Sequence, residues 1–297
     1  MKNIIRQIII LSIACLMVAP VVGAQTMATY TWIPPVASDS SIPNLMILLS
    51  NSASGFTEGY RDEATYDART EYWGYFDPNK YYTYKKTGKS GMFIPSGRIG
   101  SYHYVPSSAG TDKWSGNFLN WVTMSNVDFL RKALTGGSRL ADNVGGTTTL
   151  LRADIPAGDP SDITVPDNSW KKTYTGSYMD RLIPAAYANT TYTFENSGTY
   201  MTIKDSSGSI AGGPFLLEVL VCDNSDLTNI PVENDCTYYP SVDTYKPQGL
   251  IHDYAGEMRF AMMSYTPNEK TMQLDNAGGL LRKKMAVVDD EWSSNNG

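Results

Sequence analysis

Histidine and cysteine are scarce in this chain of 297 residues, which has only two of the first and three of the second. Cys15 lies in the amino-terminal apolar run, so Cys222 and Cys236 have no further cysteine beside them and only His103 and His252 as histidines, which makes metal binding by the pair the weaker reading. Charge is also sparse, at 18% Asp, Glu, Lys and Arg against ~25% in an average soluble domain. The 30 acidic residues outnumber the 24 basic ones, which argues against a nucleic-acid partner or an anionic membrane surface. No internal repeat or heptad pattern is present, so a solenoid or coiled coil is not expected. A Gly-x-Ser-x-Gly nucleophile turn is missing as well. What the chain has instead is 20 Tyr and 25 Gly, the composition of an exported protein with long polar loops and aromatic anchors.

The one long apolar run opens the chain. Lys2 and Arg6 precede Ile8–Gly23, which Pro20 interrupts, and Val22-Gly23-Ala24 puts small residues ahead of Gln25. That arrangement predicts a secretory signal peptide over 1–24, with cleavage after Ala24 and no membrane span remaining. A lipoprotein signal ending at Cys15 fits poorly after Ser12-Ile13-Ala14. Removing Lys2 and Arg6 leaves 22 basic residues against 30 acidic, a formal charge of −8 on 273 mature residues. In an oxidising compartment the remaining cysteines, 14 positions apart, are expected to form one disulfide whose loop stabilises by roughly 3 kcal/mol.

Residues 25–42, with Pro34-Pro35 and a Ser-rich end, read as an extended lead-in to a domain over 43–297. Leu45–Leu49 predicts a strand buried on both faces. Insertions are expected near 56–113 and 138–213, the first rich in Tyr and turn residues, the second with a hairpin at 191–203. Between them Phe118, Trp121, Val122, Phe129, Leu130, Ala133 and Leu134 recur at helical spacing, predicting one helix over 116–137 that Gly136-Gly137 ends. A second strand at 214–223, a helix at 247–258 and a third strand at 259–266 complete a strand–helix alternation. Such alternation predicts an α/β domain with a mostly parallel sheet. The tail after 275 shows no clear final element.

Several blocks together resemble one family. "PNLMILLSNSASG", "YWGYFDPNKYYTY", "WSGNFLNWVTMSNVDFLRKALTGG", "LLRADIP", "LEVLVCD" and "YKPQGLIHDYAGEMRFAMMSYT" with "GGLLRKKM" are similar, in that order, to the amino-terminal region of PilY-type pilus-tip proteins of type IV pilus systems. The resemblance implies a von Willebrand factor type A-like fold, incomplete at its carboxy-terminal end. It also implies adhesion or pilus assembly, with minor pilins, a separately encoded carboxy-terminal segment, or a host or abiotic surface as partners. The expected location is the periplasm, cell surface, pilus tip or medium of a Gram-negative bacterium. Two departures limit it. The type A metal loop reads Asp-x-Ser-x-Ser, whereas here Ser50 precedes Ser52 and Ser54, and a neutral hydroxyl is a weak ligand for a hard divalent cation. The segments bearing the later ligands and the propeller with its calcium loop are not in this sequence, so no metal or other cofactor is expected.

Each motif has a plainer reading beside the functional one. Tyr72, Trp73, Tyr75, Phe76, Tyr81, Tyr82 and Tyr84 form a candidate surface for glycans or a protein, or else pack their insertion onto the domain. Asp223, Asp226, Glu233 and Asp235 lack EF-hand spacing and read as a solvated loop closed by the disulfide. His252-Asp253 suggests a base with its orienter, but neighbours in sequence rarely face each other and no nucleophile motif accompanies them. The expected function is non-enzymatic contact in pilus biogenesis and tip adhesion. The alternatives are a stand-alone secreted glycan-binding module, or the product of a split gene that needs a partner chain.

Overall fold

The computed structural model describes residues 42–49, 53–87, 90–100, 102–159, 162–187, 191–265 and 279–288. The predicted leader, nearly all of the lead-in, Ser50 and Ser52 lie outside these residues. In chain order the main elements are β1 (Asn44–Leu49), β2 (Lys80–Thr87), β3 (Ser90–Arg98), β4 (Lys113–Ser115), α1 (Gly116–Thr123), α2 (Asn126–Thr135), β5 (Arg139–Asp142) and β6 (Thr148–Leu151). After them come β7 (Ala157–Asp159), β8 (Asp162–Asp167), β9 (Trp170–Thr175), β10 (Thr191–Ser197), β11 (Tyr200–Lys204), β12 (Ile210–Leu216) and β13 (Glu218–Val221). The last are β14 (Cys236–Tyr239), β15 (Thr244–Pro247), α3 (Leu250–Asp253), β16 (Arg259–Tyr265) and β17 (Gly279–Val287).

The fold is mixed α/β, with many strands and few helices. Its pairing corrects the expectation of a mostly parallel sheet. The six-stranded sheet runs β4-β2-β3-β13-β6-β5, and among its described pairs only β13 with β3 is parallel. A four-stranded sheet, β12-β11-β10-β9, is antiparallel throughout, and its β10–β11 hairpin lies where the 191–203 pattern placed one. A three-stranded sheet sets β1 parallel to β16 and β16 antiparallel to β17. Most strands of the two larger sheets come from the segments read as insertions, where hairpin turns favour antiparallel neighbours.

One aromatic core joins the larger sheets. All eight residues of α1 are buried. Phe118 meets Phe194 of β10 at 5.2 Å and Tyr174 of β9 at 5.6 Å, while Trp114 meets Phe93 of β3 at 5.7 Å and Phe215 of β12 at 5.0 Å. Against α1 lies a segment, residues 66–79, that has neither helix nor ladder. A buried irregular chain must find partners for its peptide groups, and Asn117 and Asn120 supply them. Asn117 Oδ1 accepts from Tyr72 N at 2.6 Å and its amide donates to Thr70 O at 2.8 Å. Asn120 Oδ1 accepts from Phe76 N at 3.0 Å, and its amide donates to the Tyr72 and Phe76 carbonyls at 2.7 Å each. Gly116 completes the fit, since a Cβ there would lie 2.2 Å from Asp77 O.

Other expectations change for local reasons. The single helix over 116–137 is two, because Met124 and Ser125 are extended and Ser125 Oγ donates to Asp128 Oδ2 at 2.5 Å. Gly136, at φ 80°, ends the second helix as expected, and a Cβ there would sit 2.6 Å from the Pro247 carbonyl carbon. The segment 214–223 is divided between β12 and β13, which belong to different sheets. The helix expected over 247–258 is the single turn α3. The tail does hold a strand, β17, paired with β16. The strand at Leu45–Leu49 forms, but at the edge of its sheet, with Leu48 69% exposed. Its apolar run therefore does not mark a strand buried on both faces.

Candidate binding site

Helix α2 is built inside out. Its buried positions include Asp128 and Lys132, four residues apart, while Val127, Leu130 and Leu134 form an apolar ridge on another side. The inward charges are matched. Asp128 accepts from Ser125 Oγ and from Ala153 N at 2.9 Å, and Lys132 Nζ lies 2.8 Å from Asp235 Oδ2. Polar partners from 125, 153 and 235 thus hold the helix by its charged face and turn the ridge away from the aromatic core.

Across from the ridge stands the three-stranded sheet. Between them runs an apolar groove of about 630 Å³, floored by Ile47 and Leu49 of β1, Phe260 and Met262 of β16, and Ala286 and Val287 of β17. Phe56 and Ile251 also line it. The charged residues lining it are Arg131, Arg282 and Lys283, and no carboxylate lines it among the described residues. Arg282 is positioned by its Nε, which donates to Ser264 Oγ at 2.7 Å. Met46 and Leu48 of β1 are also exposed, at 47% and 69%.

The aromatic candidates fare differently from this groove. Tyr72, Tyr75, Phe76 and Tyr82 are buried in the core and Tyr81 and Tyr84 are half-buried, so they do not form a common binding surface. For Tyr72 and Phe76 the reason is the amide clamp from α1, which holds their backbone against the buried helix. Trp73 alone of the seven is exposed, at 45%, and it stacks on Phe129 with ring centroids 5.9 Å apart.

Cys222 and Cys236 are joined in a disulfide with Cα atoms 5.6 Å apart. The acidic residues between them divide into two kinds. Asp223 is half-buried and Asp226 exposed, and they cap local turns through Ser225 and Asn229 respectively. Glu233 is buried, accepting from Lys80 Nζ at 2.7 Å and from Cys222 N at 2.7 Å, which corrects the picture of a wholly solvated loop. Glu233 and the two sulfurs lie within 4.8 Å of one another, but the sulfurs are bonded together and Lys80 holds the carboxylate. Ser54 is exposed in a short turn and its carbonyl accepts from Thr57 Oγ1 at 2.8 Å.

The histidines are tied to backbone. His252 Nδ1 accepts from Gly249 N at 3.3 Å, within the turn of α3, and burial followed by the Arg139 charge lowers its pKa. His103 Nδ1 lies 2.8 Å from Ala68 O. Lys172, which the sequence reading overlooked, is buried with its Nζ 4.4 Å from the Trp121 ring and donating to Tyr60 O at 2.7 Å. Burial brings its pKa down to about 8 despite the opposing pull of Glu58 and Glu63. Arg152 is buried too, donating to Asn196 Oδ1 and Gly198 O, with a pKa drawn down by burial to about 10.

Residues 63–212, the stretch that carries the amide clamp and most strands of the two larger sheets, match the family described as PilY1 homolog, small alpha/beta domain. The chain belongs to this family. It is similar to two Xylella fastidiosa proteins, each named type IV pilus biogenesis factor PilY1 homolog. One is 29% identical over 270 residues, covering 82% of this chain and 20% of the relative. The other is 25% identical over 304 residues, covering 83% and 19%. The chain therefore spans about a fifth of the length of these relatives. No solved structure matches it. Among the described residues no helix is long and apolar enough to cross a membrane.

Proposed function

We propose that this chain is an exported, non-enzymatic part of type IV pilus biogenesis and tip adhesion, acting by protein–protein contact. The observation that carries this reading is membership of the PilY1 homolog family, together with the naming of both relatives as pilus biogenesis factors. A minor pilin or another pilus component is the expected partner, and the periplasm or cell surface the expected place. The apolar groove supports contact as the mode of action, because exposed apolar surface of this size marks association sites. The backbone ties of both histidines support a role without catalysis. The von Willebrand type A-like relationship remains part of the proposal, resting on the parallel β1–β16 pair and the hydroxyl-rich segment that follows β1. In that reading the Ser50, Ser52 and Ser54 loop holds no divalent metal, since a hard cation needs anionic oxygen at the first position.

The test is deletion of the gene in its native host. Loss of surface pili or of pilus-dependent motility, restored by the gene in trans, is the expected result. Unchanged piliation, motility and surface attachment would overturn the reading.

A further inference from the structure

The groove between α2 and the three-stranded sheet combines two properties that together define an occupant. Its walls are apolar: the ridge of Val127, Leu130 and Leu134 faces strands whose side chains include Ile47, Phe260 and Met262. Its charges are all of one sign, from Arg131, Arg282 and Lys283, in a chain whose formal charge is −6. An isologous second copy would set Arg131, Arg282 and Lys283 against the same cations of its twin, like charges that repel. A small polar ligand would leave the apolar walls wet. What fits is a segment with one apolar face and acidic residues beside it.

We infer that the groove is a docking site for an acidic amphipathic helix of a partner protein, whose apolar side packs between α2 and the sheet while its carboxylates meet Arg131, Arg282 and Lys283. A helix suits the space because the sheet already has a helical layer, α2, along one side, and a second helix beside it would cover the remaining strands as helices cover sheets in α/β proteins. Helix-in-groove recognition of this kind places anchors at i, i+3, i+4 and i+7. The inference rests on the protein-contact reading above but names the chemistry of the partner, and it is tested without pili, so the two fail separately.

The probe is a fluorescent 18-residue peptide with Leu at i, i+3, i+4 and i+7 and Glu on the flanking positions, alongside a twin with every Glu replaced by Lys. Binding to the whole exported chain is followed by anisotropy at two salt concentrations. The acidic peptide should bind at least tenfold more tightly than the basic twin, and that preference should shrink at high salt. Arg131→Glu with Arg282→Glu should reverse the preference, and Leu130→Ser should weaken both peptides. Circular dichroism and melting confirm that each variant is folded; Arg131→Gln with Arg282→Gln, which removes charge without reversing it, serves if the reversed pair does not fold, and should abolish the preference. Equal binding of the two peptides, or no binding of either, would overturn the inference. So would stronger retention of the chain by phosphatidylglycerol vesicles than by the acidic peptide, which would make the groove a site for anionic lipid. Concentration-dependent dimerisation that the acidic peptide does not reverse would likewise overturn it, in favour of a second copy.

Discussion

Asn117 and Asn120 show how much depends on side chains that pattern reading treats as polar interruptions of a helix. Between them they make bonds at both ends of their amides to the chain from Thr70 to Phe76. Replacing Asn120 by Ala leaves buried peptide groups without partners, each at about 1–3 kcal/mol. Asn120→Ala is therefore expected to lower stability by about 3 kcal/mol or more and to expose Tyr72 and Phe76, read by urea unfolding and near-ultraviolet dichroism. An unchanged midpoint would mean that water replaces the clamp. Lys172 gives a second expectation at this scale. Its folded pKa lies below that of a free lysine, so the unfolded chain binds more protons between about pH 8 and the usual lysine range, and stability rises with pH across that window. Buried Tyr60, pushed up to about 12, and Tyr66 act oppositely above pH 10, where the unfolded phenols ionise first. Wild type should gain urea stability relative to Lys172→Met between pH 8 and 10, and both should lose it above. A difference that is flat in pH would show that Lys172 keeps the pKa of a solvated lysine in the folded chain.

At the scale of elements, the sequence reading was right where one local rule dominated. Gly136 ended its helix, the 191–203 hairpin formed, and Arg259–Tyr265 became a strand. It failed where distant partners decide. Nothing near Leu130 tells that Asp128 and Lys132 turn inward, because their partners are Ala153 N and Asp235. Nor does the alternation of 72–84 tell that its aromatics are core, since the clamp comes from residues more than 40 positions away. The disulfide was legible from two cysteines behind a predicted leader, but its companion Lys80–Glu233, 2.7 Å apart and buried, was not. These two cross-links separate in the laboratory. Cys222→Ser with Cys236→Ser should cost roughly 3 kcal/mol. Lys80→Met alone should cost ~3–5 kcal/mol, because it leaves Glu233 charged and buried, and adding Glu233→Gln should recover part of it. Urea midpoints of the three variants decide. A Lys80→Met protein as stable as wild type would place that ion pair in water.

At the scale of the molecule, the larger sheets with α1 form a well-filled aromatic body, while the small sheet leaves apolar surface on β1. The two apolar runs "LMILL" and "FLLEVLV" fare differently. The first is exposed. The second is buried, because β13 lies between β3 and β6. The isolated chain should consequently associate weakly through the small sheet without losing its aromatic core, visible in light scattering with unchanged near-ultraviolet dichroism, and the acidic peptide should reverse that association. Magnesium or calcium at millimolar concentration should leave the melting temperature unchanged, whereas a ligand at a hundred times its dissociation constant adds about 2.7 kcal/mol. A chelator-sensitive rise would restore the serine loop as a metal site. The most direct test of the central claim, that this chain serves pilus biogenesis through the groove, places Leu134→Asp in the native host. With the variant exported and folded at the wild-type level, the account predicts that surface pili are lost as they are in the deletion strain. Wild-type piliation with the groove so blocked would contradict it.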